Sequence, residues 1–163
     1  MVNKFERLCR YFLLVAVLAV PAAAGQASAD KPWFGTWELE TPRPASIFEP
    51  PPYKKATTRI EPWDDGMKVT YDLVRTRGGI THMEWVGRFD GKDYPVQGVD
   101  NYLSNAYRLI DDRSYQIVIK VDTTVVATAT AVVSGDGKTL TVTTEERDSR
   151  GQPRKTTAVY RKR

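Results

Sequence analysis

The sequence contains very little cysteine and histidine, and this scarcity excludes several kinds of chemistry. Its only cysteine is Cys9 and its only histidine is His82. A histidine-rich metal site is therefore impossible. A serine–histidine–aspartate triad would have to use His82 with Ser104, Ser114 or Ser134, and none of these serines lies in a Gly-x-Ser-x-Gly elbow. We interpret His82 as an exposed histidine on the polar face of a strand.

Residues 1–29 have the three-part pattern of a secretory signal peptide. The basic segment MVNKFERLCR precedes the apolar run YFLLVAVLAV, and Ala27-Ser28-Ala29 is a small-x-small cleavage site. The apolar run is shorter than the roughly 20 residues that a membrane-spanning helix needs. We therefore predict an exported chain, periplasmic or secreted, in which residues 1–29 are cleaved and residues 30–163 form a single domain without a membrane span. An uncleaved anchor and a cut after Ala24 are the alternatives.

The predicted mature domain lacks cysteine altogether, because Cys9 belongs to the leader. Disulfides, cysteine-ligated zinc and a cysteine nucleophile are thereby excluded, so the domain must be stabilised by its core. Clustered charge is also missing. The formal net charge is +4 at pH 7, part of it from the leader, and bases and acids are interspersed along the rest. Nucleic-acid binding requires a concentrated basic patch, so we predict no nucleic-acid partner.

No segment after Pro52 sustains the 3.6-residue period of a helix, and apolar and polar residues alternate with period two instead. Short turns rich in aspartate and glycine separate the alternating segments. The predicted strands are 34–40, 55–62, 66–76, 80–89, 93–98, 105–110, 115–121, 124–134, 138–147 and 154–162. The acidic pairs Asp64-Asp65 and Asp111-Asp112 occupy turn positions, so we interpret them as turn residues and not as paired catalytic carboxylates.

Strands joined by such short connections pair with their sequence neighbours in antiparallel fashion. An open meander would leave two unpaired edges, and the sequence offers no helix to cover a face. We therefore predict an all-β fold, an antiparallel up-and-down barrel of eight to ten strands, with a two-sheet β-sandwich as the alternative. The proline-rich segment 41–53 is predicted to be a long loop, either a rigid connection or a lid over a pocket mouth.

A row of small residues is predicted to face the interior of the barrel. The segment TVVATATAVV, 124–133, places Ala127, Ala129 and Ala131 on one face. Small residues opposite large aromatic residues either interdigitate in a filled core or leave a cavity for one small apolar ligand. If the cavity exists, its predicted ligand-binding lining is Trp37, Tyr71, Met83, Trp85, Tyr115, Ala127 and Ala129.

Two short motifs resemble the lipocalin family. Gly35-x-Trp37 heads the first predicted strand, and Asp111 is followed four residues later by Tyr115. In lipocalins the tryptophan plugs the closed end of an eight-stranded barrel, and a basic residue of the last strand lies across it. The resemblance assigns that basic residue to Arg161 or Arg163. We also expect Trp33 to cover the outside of the same end.

Longer segments are similar to an uncharacterised group of exported bacterial lipocalin-like proteins. They are FDGKDYPVQG (89–98), RLIDDRSY (108–115) and VSGDGKTLTVTT (133–144). This similarity extends over nearly all of the predicted mature chain. It implies a fold and an exported location, and it implies no particular ligand or activity.

The sequence favours non-catalytic binding of a small apolar or amphipathic molecule in the barrel interior. The alternative is a periplasmic interaction or inhibitor module with a filled core and no small-molecule ligand. An enzyme is a third possibility, but no segment carries an enzyme signature. No cofactor and no metal ion are predicted, and the sequence assigns no protein partner.

Overall fold

The computed structural model describes residues 31–40, 53–148 and 150–163. The predicted signal peptide and the proline-rich residues 41–52 lie outside the described residues. Within the described ranges the regular structure consists of ten strands. They are β1 Gly35–Leu39, β2 Tyr53–Trp63, β3 Gly66–Arg75, β4 Ile80–Gly87, β5 Tyr94–Gln97, β6 Leu103–Leu109, β7 Ser114–Val121, β8 Thr124–Val133, β9 Thr139–Arg147 and β10 Pro153–Lys162. In these ranges no helix is long and apolar enough to cross a membrane.

Each strand pairs antiparallel with its neighbours in sequence, and β1 also pairs with β10, which closes the sheet into a barrel. Trp37 of β1 is the register partner of Lys162 on one side and of Thr58 in β2 on the other. Closure leaves neither sheet edge unpaired. The predicted antiparallel up-and-down barrel is therefore confirmed, with ten strands, and the alternative of a β-sandwich is wrong.

The turns between strands depend on residues that accept positive φ or hydrogen-bond the nearby backbone, aspartate above all. Asp122 and Thr123 join β7 to β8, and both have positive φ, 47° and 69°, as a two-residue type I′ hairpin turn requires. The Asp111 carboxylate accepts a hydrogen bond from the backbone N–H of Arg113 at 2.8 Å. Asp64 has a φ of 47° between β2 and β3. Both acidic pairs thus serve as turn residues, as predicted.

The alternation along β8 shows which face of the sheet is inside. Ala127, Ala129 and Ala131 are 8%, 2% and 0% exposed, whereas Val126 and Val132 are each 44% exposed. The alanine row therefore faces the interior, as the sequence predicts. Valine side chains on the outer face cost little because apolar atoms make up much of any protein surface.

The closed end of the barrel, where β1 begins and β10 ends, is sealed by aromatic side chains. Trp33 and Trp37 are buried, and the indole N–H of Trp37 donates to the Trp33 carbonyl at 2.8 Å. The Trp33 ring lies 5.4 Å from the ring of Phe89 and 5.6 Å from that of Tyr115. The expectation that Trp33 covers the outside of this end is wrong, because its ring packs within the core.

The basic residue across Trp37 is Lys162, whose Nζ lies 5.1 Å from the centre of the Trp37 ring. The register between β1 and β10 explains why Lys162 has this position, because Trp37 and Lys162 are directly paired and share the inner face. Arg161 and Arg163 belong to the opposite face, where they form ion pairs with Glu40 and Glu38. The assignment of Arg161 or Arg163 to this role is therefore wrong.

The buried tryptophan of the closed end gives a direct test of the packing. We expect Trp37→Phe to lower the free energy of unfolding by about 1–3 kcal/mol, because it removes the donor to the buried Trp33 carbonyl and leaves a small void. Trp63, 51% exposed, offers a matched control, and Trp63→Phe should change stability by less than about 0.5 kcal/mol. Urea unfolding followed by far-UV circular dichroism measures both, and equal effects would contradict the packing described.

Candidate functional site

The two halves of the barrel interior differ in how completely their side chains are buried. In the closed half, adjoining Trp33, the inward side chains of Met67, Val69 and Leu140 are at most 2% exposed. At the opposite end β1 ends and β2 begins, and we call the adjoining interior the open half. Ala56 and Ala127 are buried there, but many of the larger inward side chains are only partly buried. Among them are Leu39, Leu73, Met83, Leu103, Ile119 and Thr144.

Stacked aromatic rings fill the closed half. The ring centres of Trp85 and Tyr107 are 4.1 Å apart with an angle of 32° between the planes. Tyr107 in turn stacks on Tyr115, with 5.7 Å between centres and an angle of 30°. Because Trp33 packs edge-on against Tyr115, a continuous series of rings runs from the closed end towards the middle of the barrel. The rings occupy the interior of this half, and a pocket of about 370 Å³ lies beside Trp33, Phe34 and Phe89 at its outer end.

A tyrosine cluster, composed of Tyr71, Tyr107, Tyr115 and Tyr160, lies where the two halves meet. The hydroxyl oxygens of Tyr71 and Tyr107 are 2.8 Å apart, within hydrogen-bonding distance. Tyr107 and Tyr115 are buried, whereas Tyr71 and Tyr160 are partly exposed. The cluster therefore presents phenol groups to the open half from the top of the aromatic stack.

Burial is the main reason that the pKa of every phenol in the cluster is raised. It raises the pKa of Tyr71 and, together with the neighbouring phenols, that of Tyr107 and Tyr115. The pKa of Tyr160 is raised to about 12, first by burial and then by Tyr71 and Tyr53. All four phenols are consequently neutral at physiological pH, and they can donate and accept hydrogen bonds.

Asn105 adds an amide to this polar group. It alternates with Tyr107 along β6 on the inner face and is 7% exposed. Its backbone carbonyl accepts the indole N–H of Trp85 at 3.1 Å. Its side-chain Oδ1 is buried and has no hydrogen-bond donor among the described residues. A buried acceptor without a donor costs about 1–3 kcal/mol, so this atom would gain from any donor that reached it.

An ion pair stands near the mouth of the open half. Glu146 of β9 is the register partner of inward-facing Ala127 and of Arg154 in β10. Arg154 Nε lies 3.9 Å from Glu146 Oε1. A groove of about 480 Å³ runs along the rim beside this pair. It is lined by Val125, Val126, Ala127, Thr128, Glu145, Glu146, Arg147 and Pro153.

All seven residues predicted to line a ligand cavity face the barrel interior, but at different depths. Trp37 lies at the closed end beneath Lys162. Trp85, Tyr115, Ala127 and Ala129 are buried. Tyr71 and Met83 are register partners in β3 and β4 and are partly buried. Contact between these residues and a ligand stays a prediction.

The sequence reasoning missed Asn105, Tyr107 and Tyr160 as members of the polar group. The predicted strand 105–110 began at Asn105, so too few residues preceded Tyr107 to show that the two residues share a face. Alternation with period two places Asn105 and Tyr107 on the same face as Leu103, and this pattern could have identified them. The proximity of Tyr71 to Tyr107 joins strands that are not adjacent, and no local pattern encodes it.

His82 lies on the outer face of β4, away from this interior. Its Nδ1 is 2.7 Å from Asp72 Oδ1, and its Nε2 is 3.6 Å from Glu84 Oε1. The interpretation of His82 as an exposed strand histidine is confirmed. In the parts of the chain that the structure describes, no group of three or more histidine, cysteine, aspartate or glutamate residues is arranged to hold a metal ion.

The architecture defines the class of protein, a closed up-and-down antiparallel barrel with one aromatic-filled half and one partly exposed half. Neither a comparison with models of known protein families nor one with curated proteins finds a match. The resemblance to exported lipocalin-like proteins therefore stays a prediction from motifs. Any function must be argued from the residues of the barrel itself.

The single histidine allows a clean test of the outer-face geometry. The pKa of His82 should lie above its ordinary value of 6.5, chiefly because its ring hydrogen-bonds the Asp72 carboxylate. The stabilisation from protonated His82 is then complete below the unfolded pKa and is lost as pH rises through the folded pKa. We expect Asp72→Asn to lower this pKa, and Asp65→Asn, which removes the partner of Arg88, to leave it unchanged. Proton NMR of the one imidazole measures it, and a value at or below 6.5 would contradict the assignment.

Proposed function

We propose that the protein binds one small apolar or amphipathic molecule, without catalysis, in the open half of the barrel. The observation that carries the proposal is the contrast between the buried Met67, Val69 and Leu140 of the closed half and the partly exposed Leu39, Leu73 and Met83 of the open half. Partly exposed Leu39, Leu73 and Met83 gain free energy when a ligand covers them, at about 25 cal/mol per Å² of apolar surface.

The width of the barrel supports this proposal. An eight-stranded barrel is just wide enough to be filled by its own side chains or to hold one small ligand, and diameter grows with strand number. This barrel has ten strands. Strands β8 and β3 are five strands apart in either direction around it, so the alanine row faces Tyr71 across the interior. Methyl groups take up little of the interior on the β8 wall, and this favours room for a ligand between β8 and β3.

The lining we propose follows the depth of each residue. Met83, Ala127 and Ala129 form the walls, while Tyr71 and the stacked rings of Trp85 and Tyr115 form the base. Trp37 lies outside this set because it belongs to the seal of the closed end. Export to the periplasm or the medium is part of the same proposal, and the leader pattern of residues 1–29 supports it.

A second candidate function is contact with a protein partner through the rim. Ile80 and Tyr102 are 78% and 87% exposed and lie at the start of β4 and just before β6, at the open end. A contiguous exposed apolar patch marks an interaction surface, and under this candidate the two side chains belong to one. Under this second candidate the barrel interior binds no small molecule, and this difference distinguishes it from the proposed binding in the open half.

Filling the proposed site should abolish binding. We expect wild-type protein to shift its tryptophan fluorescence when titrated with eight- to twelve-carbon alcohols, fatty acids and aromatic hydrocarbons. Ala127→Phe should weaken the tightest of these by at least about tenfold, because its ring would occupy the interior beside Ile119.

Val132→Phe is the matched control, since it adds the same ring to the outer face of the same strand and should leave affinity unchanged. Circular dichroism checks that both variants fold. Unaltered affinity in Ala127→Phe, or no fluorescence response to any compound with wild-type protein, would contradict binding in the open half.

A further inference from the structure

We infer that the open half selects a molecule whose apolar body carries a neutral hydroxyl group, and that Tyr71 and Asn105 bind this hydroxyl at the base of the site. The inference rests on the proposed function and names the class of ligand. Within the described residues, the tyrosine cluster and Asn105 leave one hydrogen-bond donor and one acceptor unused, and the inference follows from these two groups.

The first step is the order of the hydrogen bonds. The Asn105 side chain lies beside the Tyr107 hydroxyl and opposes the rise in the pKa of that phenol; because its Oδ1 has no hydrogen-bond partner, the amide N–H is the group that can donate to this hydroxyl. The Tyr71 and Tyr107 hydroxyl oxygens are 2.8 Å apart and either can donate; we assign Tyr107 as the donor, because a hydroxyl that accepts a hydrogen bond becomes a stronger donor. The chain runs from Asn105 through Tyr107 to Tyr71, and each contact uses one donor and one acceptor.

The second step is what remains at the two ends of this chain. Tyr71 keeps its hydroxyl proton, and the partly exposed Tyr71 side chain borders the open half. Asn105 keeps Oδ1, which is buried and without a donor. Both side chains adjoin Tyr107, and one free donor and one free acceptor match an alcohol, which can accept from Tyr71 and donate to Asn105. Oδ1 is buried, so a ligand can reach it only if the amide rotates.

The third step is the absence of charge at this depth. The groups of the cluster are phenols and an amide, and the pKa of each phenol is raised. A carboxylate placed among them would lose its hydration without gaining a cation, which is costly. Among the described residues, strand alternation puts Arg154 and Arg75 on the inner face of the open half; both stand at the mouth, and Arg154 is paired with Glu146. A neutral hydroxyl therefore fits the base better than an acid does.

Three eight-carbon probes test the inference: octane, 1-octanol and octanoate. We expect wild-type protein to bind 1-octanol about 3–10-fold more tightly than octane and more tightly than octanoate, by tryptophan fluorescence titration. Tyr71→Phe and Asn105→Leu should each reduce the preference for 1-octanol over octane to less than about twofold while the affinity for octane stays within about twofold.

Tyr102→Phe is the control variant, because it removes a hydroxyl from a side chain that is 87% exposed outside the barrel. It should keep the wild-type preference. Equal binding of octane and 1-octanol by wild-type protein, tighter binding of octanoate, or a preference unaltered in both Tyr71→Phe and Asn105→Leu would overturn the inference and leave the proposed function standing. If none of the three probes binds, the proposed function and the inference both fail.

Discussion

The pairing of β1 with β10 is the constraint on which the rest of the structure depends. β1 has only five residues, yet its register with β10 closes the sheet. Ion pairs reinforce this seam from the outer face, where Glu38 contacts both Lys55 and Arg163 and Arg161 contacts Glu40. Because side chains alternate along a strand, the same register turns Trp37 and Lys162 inward and leaves the arginines outside. A slip of one residue would exchange these two sets.

Closure also determines how the interior can be used. With ten strands around it, the interior is wider than that of an eight-stranded barrel, and the aromatic residues are concentrated towards one end. Trp85, Tyr107 and Tyr115 stack over the closed half. On β8 the inward positions are alanines, so the wall facing Tyr71 contributes only methyl groups. The distribution of aromatic rings along the barrel axis, and not the fold as such, separates the filled half from the half in which we propose that a ligand binds.

The sequence predicts the strands of this protein well and the arrangement of its interior only in part. Alternation with period two, interrupted by aspartate and glycine turns, places strands such as 115–121 and 124–134 within about a residue of β7 and β8. The same alternation predicts that the alanine row faces inward. It cannot identify Lys162 as the partner of Trp37, because that depends on the register between chain segments more than 120 residues apart. Trp33 lies before any strand, so no period indicates whether its ring is inside.

The tyrosine cluster and Asn105, at the middle of the barrel, are the feature that selection for stability alone explains least. Phenylalanine at Tyr71 and Tyr107, and leucine at Asn105, would fill similar volumes without buried polar atoms. A core selected only for stability gains nothing from an amide oxygen that is buried without a donor, since the atom lost its hydration when the chain folded. Buried polar groups that are only partly satisfied are costly, and they tend to occur where function requires them. Their position, at the junction of the filled half and the half with partly exposed walls, is where a ligand entering from the open end would place its innermost atoms.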